Sequence, residues 1–214
     1  MTEKVFWSDP YLTELATRVS RVDGVMVTLD HTIFYALSGG QESDAGSIGD
    51  WPVAQAAWQG GDIVYTLPAE HDLHTGDEVA VRIDWPRRYR LMRLHFAAEI
   101  VLELMYRRVP GIVKIGAHIA ADKARIDFEL DHNIAEHFDA LAAEVTRIVD
   151  ADEPITSAFS DATAERRYWK IEAFAAVPCG GTHLRRTGEV GRIALKRRNV
   201  GKGKERIEIV LADA

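Results

Sequence analysis

Through much of the first 85 residues, apolar and polar positions alternate with a period of two, as half-buried strands require. Asp23-Gly24 separates Leu15–Val22 from Val25–Leu29, and Gly60-Gly61 separates Val53–Trp58 from Ile63–Leu67. Such dipeptides adopt the positive backbone angles of tight hairpin turns, so each pair of segments predicts a hairpin. Gly76–Trp85 alternates as well and predicts a further strand. Short strands joined by tight turns indicate a small barrel or sandwich.

The pattern changes at residue 86. Leu91, Leu94, Ala98, Val101, Leu102 and Met105 recur at spacings of three and four, which predicts an amphipathic helix over 86–108 ended by Pro110-Gly111. Ile112–Ile119 and Ala124–Leu130 predict another hairpin. Asp131 is placed to cap a second helix near 132–149. Residues 153–178 are mixed. Glu189–Arg197 and Arg206–Leu211 read as two strands joined through Asn199–Lys204. No internal repeat or linker-like stretch is present, so residues 1–85 and 86–214 are expected to pack as two parts of one α+β protein.

Composition adds limits. The 214 residues are 47% hydrophobic and 28% charged, as in folded globular proteins, which argues against a disordered or low-complexity chain. No uncharged apolar run approaches the ~20 residues of a membrane helix. The N-terminus lacks the apolar segment of a signal peptide. One cysteine cannot build a disulfide framework. A cytoplasmic location, with the thiol reduced and no membrane partner, is therefore expected.

The net charge of −7 argues against a wholly basic nucleic-acid binder, but the charge is unevenly spread. Nine basic residues between His183 and Arg206 face only Glu189 and Glu205; that segment is +7 and the remainder therefore −14. Arg87, Arg88, Arg90 and Arg93 form a second basic group. Both groups are suited to a polyanion, although exposed strands and helix ends carry Lys and Arg without one.

Two pairs of side chains can carry chemistry. His95 and Glu99 stand four apart in the first helix, His95 nearer the apolar stripe, and an i, i+4 pair can grip one metal ion. Taken singly, such a pair is usually a surface hydrogen bond. Cys179 and His183 stand in V-P-C-G-G-T-H, where Pro178 and Gly180-Gly181 can turn thiolate and imidazole toward one point, a donor set suited to zinc. Taken singly, such a cysteine is usually a buried structural residue. Together the pairs offer four ligands from two separate elements. A third feature is the polar glycine loop of 32–46, T-I-F-Y-A-L-S-G-G-Q-E-S-D-A-G, where Gly39-Gly40 lets the backbone approach a ligand and Asp44 can act as a local cap.

These segments form an ordered set: T-I-F-Y…G-G-Q…D-A-G (32–46), R-R-Y-R-L-M-R-L-H (87–95), R-I-D-F (125–128), C-G-G-T-H (179–183) and G-K-G-K-E-R-I-E (201–208). In this the sequence resembles the freestanding alanyl-tRNA editing proteins, of the medium-length form. It is similar also to the editing domain of alanyl-tRNA synthetase and, more distantly, of bacterial threonyl-tRNA synthetase. The resemblance implies a small N-terminal β-barrel carrying the GGQ loop (1–85), packed on an α+β editing core (86–214) with an antiparallel sheet and two long helices. It implies a trans-acting deacylase that hydrolyses the ester of mischarged tRNA(Ala), chiefly seryl-tRNA(Ala). The implied cofactor is Zn2+, held by His95, Cys179 and His183. No ATP-binding motif is visible, so aminoacylation and a nucleotide cofactor are not expected.

At residue 99 the family pattern has histidine and this chain has glutamate. Three readings follow: Glu99 is the fourth ligand, Glu99 is a base to a zinc-bound water, or the metal site is weakened or lost and a tRNA-binding module remains. A glutamate ligand would also lower the charge of the zinc complex by one. Thr32 and Gln41 are candidate pocket residues. Arg87, Arg88, Arg93, Arg185, Lys202, Lys204 and Arg206 are the expected contacts to tRNA phosphates.

Overall fold

The structure, a computed structural model, describes residues 1–212. It is α+β, built of mostly antiparallel sheets and two long helices. The chain divides into two compact units. Unit 1 comprises 1–38 and 42–89, and unit 2 comprises 39–41 and 90–214.

Unit 1 carries β1 (Glu3–Lys4), β2 (Glu14–Asp23), β3 (Met26–Leu29), β4 (His31–Thr32), β5 (Gly46–Ile48), β6 (Trp51–Pro52), β7 (Gln55–Gln59), β8 (Asp62–Thr66) and β9 (Glu78–Ile83). The two glycine-turn hairpins form as the sequence indicates: β2 pairs β3 across Asp23-Gly24, and β7 pairs β8 across Gly60-Gly61. Gly24 and Gly60 both have φ +58, the left-handed region that favours glycine. Seven strands join in the order β6-β5-β9-β2-β3-β8-β7. By its pairings this is a half-barrel, since among the described residues no ladder joins β6 to β7. Its concave core holds Phe6, Phe34, Tyr35 and Tyr65, with edge-on ring pairs at 5.3 and 5.5 Å.

A buried ion pair lies within this unit. Arg88 is fully buried, and Nε donates to Asp44 Oδ1 at 2.7 Å while Nη2 also bonds Asp44 Oδ2. Pro10 O and Ile33 O accept its remaining bonds at 2.9 and 2.6 Å. Asp44 in turn accepts the Tyr35 backbone N–H at 2.6 Å. The sequence-based reading of Arg88 as a phosphate contact is therefore corrected: its guanidinium is consumed inside the protein.

Unit 2 begins within α1 (Trp85–Arg108), after Tyr89, and includes Gly39–Gln41. The GGQ segment, expected with the N-terminal part, joins unit 2 because Ile119 N donates to Gly40 O at 2.8 Å and Gln41 bridges Ile119. The other elements are β10 (Val113–Ile119), β11 (Ala124–Glu129), α2 (Phe138–Ala151), β12 (Thr156–Asp161), β13 (Arg166–Ile171), β14 (Ala175–Pro178), β15 (Ile193–Gly201) and β16 (Lys204–Leu211). They form two antiparallel sheets, β10-β11-β16-β15 and β12-β13-β14. No helix among the described residues is long and apolar enough to cross a membrane.

Four expectations are revised. The second helix starts at Phe138 rather than near 132, and Asn133, not Asp131, caps the 3-10 turn before it by accepting Ala135 N at 3.0 Å. The mixed stretch 153–178 is a complete three-stranded sheet. Thr187–Val190 is a 3-10 turn, and the final hairpin stays paired as far as Gly201↔Lys204. Finally, α1 is buried well beyond one stripe: Met92, Phe96, Ala97, Ile100 and Leu104 are inside along with the six residues of the predicted face. Phe96 meets Trp169 of β13 edge-on at 5.1 Å, and Arg90 donates to Ala121 O in the β10–β11 turn at 3.0 Å.

Arg88→Ala strips Asp44 of its buried partner and should destabilise the protein by about 3–5 kcal/mol in urea unfolding. The partly exposed Arg87–Glu42 pair should matter by less than about 1 kcal/mol. Equal effects of Arg88→Ala and Arg87→Ala would contradict this account.

Candidate metal centre

The site is built within unit 2 from one helix, one sheet edge and one glycine turn. One turn of α1 separates His95 from Glu99, and the two side chains meet, His95 Nε2 lying 3.4 Å from Glu99 Oε1. Cys179 follows β14 directly; its N–H donates to Arg167 O of β13 at 2.9 Å, which fixes where the thiol emerges. Cys179 Sγ lies 3.4 Å from His95 Nε2 and 3.9 Å from Glu99 Oε1. The chain then turns through Gly180-Gly181 and delivers His183, whose ring centroid is 5.3 Å from that of His95. His95, Cys179 and His183 each offer a ligand atom within 4.8 Å of the others. Glu99 touches two of these three without belonging to the group itself.

Gly181 is required by close approach. A Cβ there would lie 2.6 Å from His95 Nδ1 and 3.0 Å from Gln41 Oε1, so any larger residue displaces the imidazole. Gln41 holds the same turn: its Nε2 donates to Thr182 Oγ1 at 2.9 Å, and its Oε1 accepts Thr182 N at 3.3 Å. Both amide atoms of Gln41, which is 1% exposed, are thus committed to Thr182.

The two imidazoles differ electrostatically. Burial on its own would lower the His95 pKa, but the adjoining Cys179 sulfur and Glu99 carboxylate prevail and raise it to about 10. For His183, burial lowers the pKa well below the ordinary value, and His95 and Arg167 push it further down. Burial pushes the Glu99 carboxyl up, yet His95, the Trp169 indole and Lys114 outweigh it and hold it below the usual range. Glu99 is accordingly a carboxylate and His183 a neutral ring.

These residues fit a bound metal ion. His183 Nδ1 lies 2.9 Å from Ser157 Oγ, whereas the buried His183 Nε2 has no hydrogen-bond partner. With the proton on Nδ1 and donated to Ser157, the Nε2 lone pair is free to coordinate. Two imidazoles and a thiolate are the donors zinc prefers, with Glu99 adjacent as an oxygen donor.

The remaining sequence-derived residues are not members of the three-residue group. Thr32 is fully buried in unit 1, where its hydroxyl shares a 2.6 Å bond with Tyr65 and accepts Phe34 N at 3.0 Å. Arg87 is paired with Glu42 at 2.7 Å. In unit 2, Arg93 donates to Val190 O at 3.1 Å, and Arg206 is bidentate to Asp127 at 2.5 and 2.9 Å. Arg185 is exposed, as are Lys202 and Lys204 at the tip of the β15–β16 hairpin. Much of the basic run is neutralised by acids outside it: Asp127, Asp150 and Asp152, distant in sequence, and the nearby Glu208. Sequence reasoning missed Ser157, Arg167 and Trp169; all three sit in strands whose alternation gives no sign of what they hold.

The antiparallel α+β unit brings together two imidazoles and a thiol able to hold a metal ion, with a carboxylate beside them. A family model described as the threonyl and alanyl tRNA synthetase second additional domain matches residues 169–208, which include Cys179 and His183. The chain is 32% identical over 216 residues to the alanyl-tRNA editing protein AlaX-M of Pyrococcus horikoshii, spanning 99% of this chain and 98% of that protein. It is 30% identical over 246 residues to AlaX-M of Methanosarcina acetivorans, spanning both in full. It is also 33% identical over 235 residues to the alanine–tRNA ligase of Ignicoccus hospitalis, spanning 98% of this chain and 26% of that enzyme. The chain belongs to the alanyl-tRNA editing proteins of the AlaX-M type.

A raised His95 pKa has two consequences. In the metal-free protein the charged ring contributes stability that is complete below pH ~6.5 and is lost as pH rises through about 10. A metal ion coordinating that nitrogen must expel the proton. Zinc titration at neutral pH, followed calorimetrically in buffers of different ionisation enthalpy, should therefore show proton release, and affinity should rise with pH. Zinc uptake without proton release would contradict the arrangement. Gly181→Ala should weaken zinc uptake strongly while leaving unit 1 folded.

Proposed function

We propose that this protein hydrolyses the ester bond of mischarged tRNA(Ala) in trans, chiefly seryl-tRNA(Ala), at a zinc centre held by His95, Cys179 and His183 with Glu99 as the fourth donor. The observation that carries the reading is the convergence of two buried imidazoles and the half-buried Cys179 thiol within 4.8 Å in a chain of this family. The partner is tRNA(Ala); a nucleotide cofactor and a membrane play no part in the proposal.

Bound zinc supplies a Lewis acid able to polarise a water or carbonyl oxygen. The chain's own residues do the rest. Ser157 fixes the His183 tautomer. Gln41 and Thr182 hold the C-G-G-T-H turn, so Gln41 acts here by placing the ligands. Glu99 stays ionised at neutral pH and can accept a proton from an attacking water if it does not coordinate. An aminoacyl ester is already activated, so alignment of that water and stabilisation of the oxyanion supply most of what hydrolysis needs. Selection of serine over alanine requires hydrogen bonds to the hydroxyl, since a site that depends on such a bond discriminates better than one sorting by size. The hydroxyl of Thr32 is the sequence-derived candidate for that role, and to take it up would first have to leave Tyr65 and Phe34 N.

The exposed Lys202 and Lys204 have no ion-pair partner among the described residues and are the side chains best placed to meet phosphates. Arg87, Arg93 and Arg206 would first have to leave Glu42, Val190 O and Asp127. A second reading, a tRNA-binding module with a weakened metal site, is favoured by one observation: Glu99 lies outside the three-ligand group.

The test is deacylation of seryl-, glycyl- and alanyl-tRNA(Ala) together with zinc analysis of the purified protein. Zinc-dependent hydrolysis of seryl-tRNA(Ala), falling to the background rate in Cys179→Ala, supports the enzyme; tRNA affinity without zinc or turnover supports the second reading. Lys202→Ala/Lys204→Ala should weaken tRNA binding and lower its log–log salt dependence by about 2. An unchanged salt slope would remove these lysines from the interface.

A further inference from the structure

Trp169 is fully buried in the central strand of the β12-β13-β14 sheet. Its ring meets Phe96 edge-on at 5.1 Å and stacks near Phe174 at 6.4 Å. A buried indole N–H needs an acceptor. It finds one in the glutamate that replaces the family histidine: Trp169 Nε1 donates to Glu99 Oε2 at 2.9 Å. That bond leaves Oε1 as the oxygen turned toward His95 Nε2 at 3.4 Å and Cys179 Sγ at 3.9 Å.

Trp169 is register partner to Ser157 across the β12–β13 ladder. Side chains directly opposite on paired strands share a face. One residue of this pair reaches His183 Nδ1 and the other Glu99 Oε2, so a single cross-strand pair supports donors delivered by two different segments.

We propose that Trp169 is a positioning residue for the metal centre, its indole N–H holding one carboxylate oxygen of Glu99 so that the other is presented as a single-oxygen donor beside Cys179 and His95. The inference rests on the reading of the site as a metal centre. It also makes residues 99 and 169 interdependent: a histidine at 99 would leave the indole facing a ring in place of a carboxylate.

The probe is cobalt(II) alone, added to the full chain and followed by affinity and visible absorption. Trp169→Phe keeps an aromatic ring and removes the N–H. It should weaken cobalt binding by about 10- to 100-fold, as loss of an outer support typically does, and shift the visible bands while the thiolate band remains. In a Glu99→Ala background the same substitution should change neither affinity nor bands. Should Trp169→Phe misfold, Glu99→Gln keeps the indole and an acceptor for it, and should shift the same bands. Parental affinity and spectrum in Trp169→Phe, equal loss in the Glu99→Ala background, or unshifted bands in Glu99→Gln would each overturn the proposal. Absence of cobalt uptake by the unmodified protein would overturn the metal-centre reading with it.

Discussion

A buried nitrogen lone pair with no partner carries the full cost of its desolvation, on the order of 1–3 kcal/mol. His183 Nε2 is such an atom. It sits in a group with a thiol and a second imidazole, and its own other nitrogen is already bound to Ser157. The rest of unit 2 follows from that constraint. A bound divalent cation would turn that uncompensated donor into a coordinate bond, and the surrounding elements hold the three candidate donor atoms within 4.8 Å of one another.

The support comes from elements distant in sequence. One helical turn of α1 sets His95 against Glu99. The end of β14 and a backbone bond to Arg167 set Cys179. The turn after it is pinned by Gln41, brought in by its bridge to β10, and can approach His95 only because residue 181 is glycine. Unit 1 solves a comparable problem by different means. Its buried Arg88 and Asp44 satisfy one another and the backbone around them, so no metal is needed to complete the network.

What was legible in the sequence was mainly what is local. The β2–β3 and β7–β8 hairpins announce themselves through alternation and glycine turns, and α1 through its heptad-like spacing. The candidate ligands His95, Cys179 and His183 were singled out by pairing two short motifs, and the family resemblance then implied a common zinc site for them. The sheet of 153–178 was hidden because its strands are short and mostly exposed on one edge; β12 reads T-S-A-F-S-D, with little apolar alternation. Arg88 was misjudged because a positive residue in a basic run looks solvated until its distant partner, Asp44, is placed beside it. The neutralisation of the 183–206 run was missed for the same reason. Trp169 and Ser157 had no signal, since strand register alone makes them neighbours.

The chemistry proposed for unit 2 requires Cys179, His95 and His183 to bind one divalent cation together. X-ray absorption at the zinc edge of the zinc-loaded protein tests it directly. One sulfur at about 2.3 Å with nitrogen or oxygen neighbours at about 2.0–2.1 Å is the expected result, the sulfur vanishing in Cys179→Ala. A shell of oxygen and nitrogen alone in the unaltered protein, or a spectrum indifferent to Cys179→Ala, would contradict it.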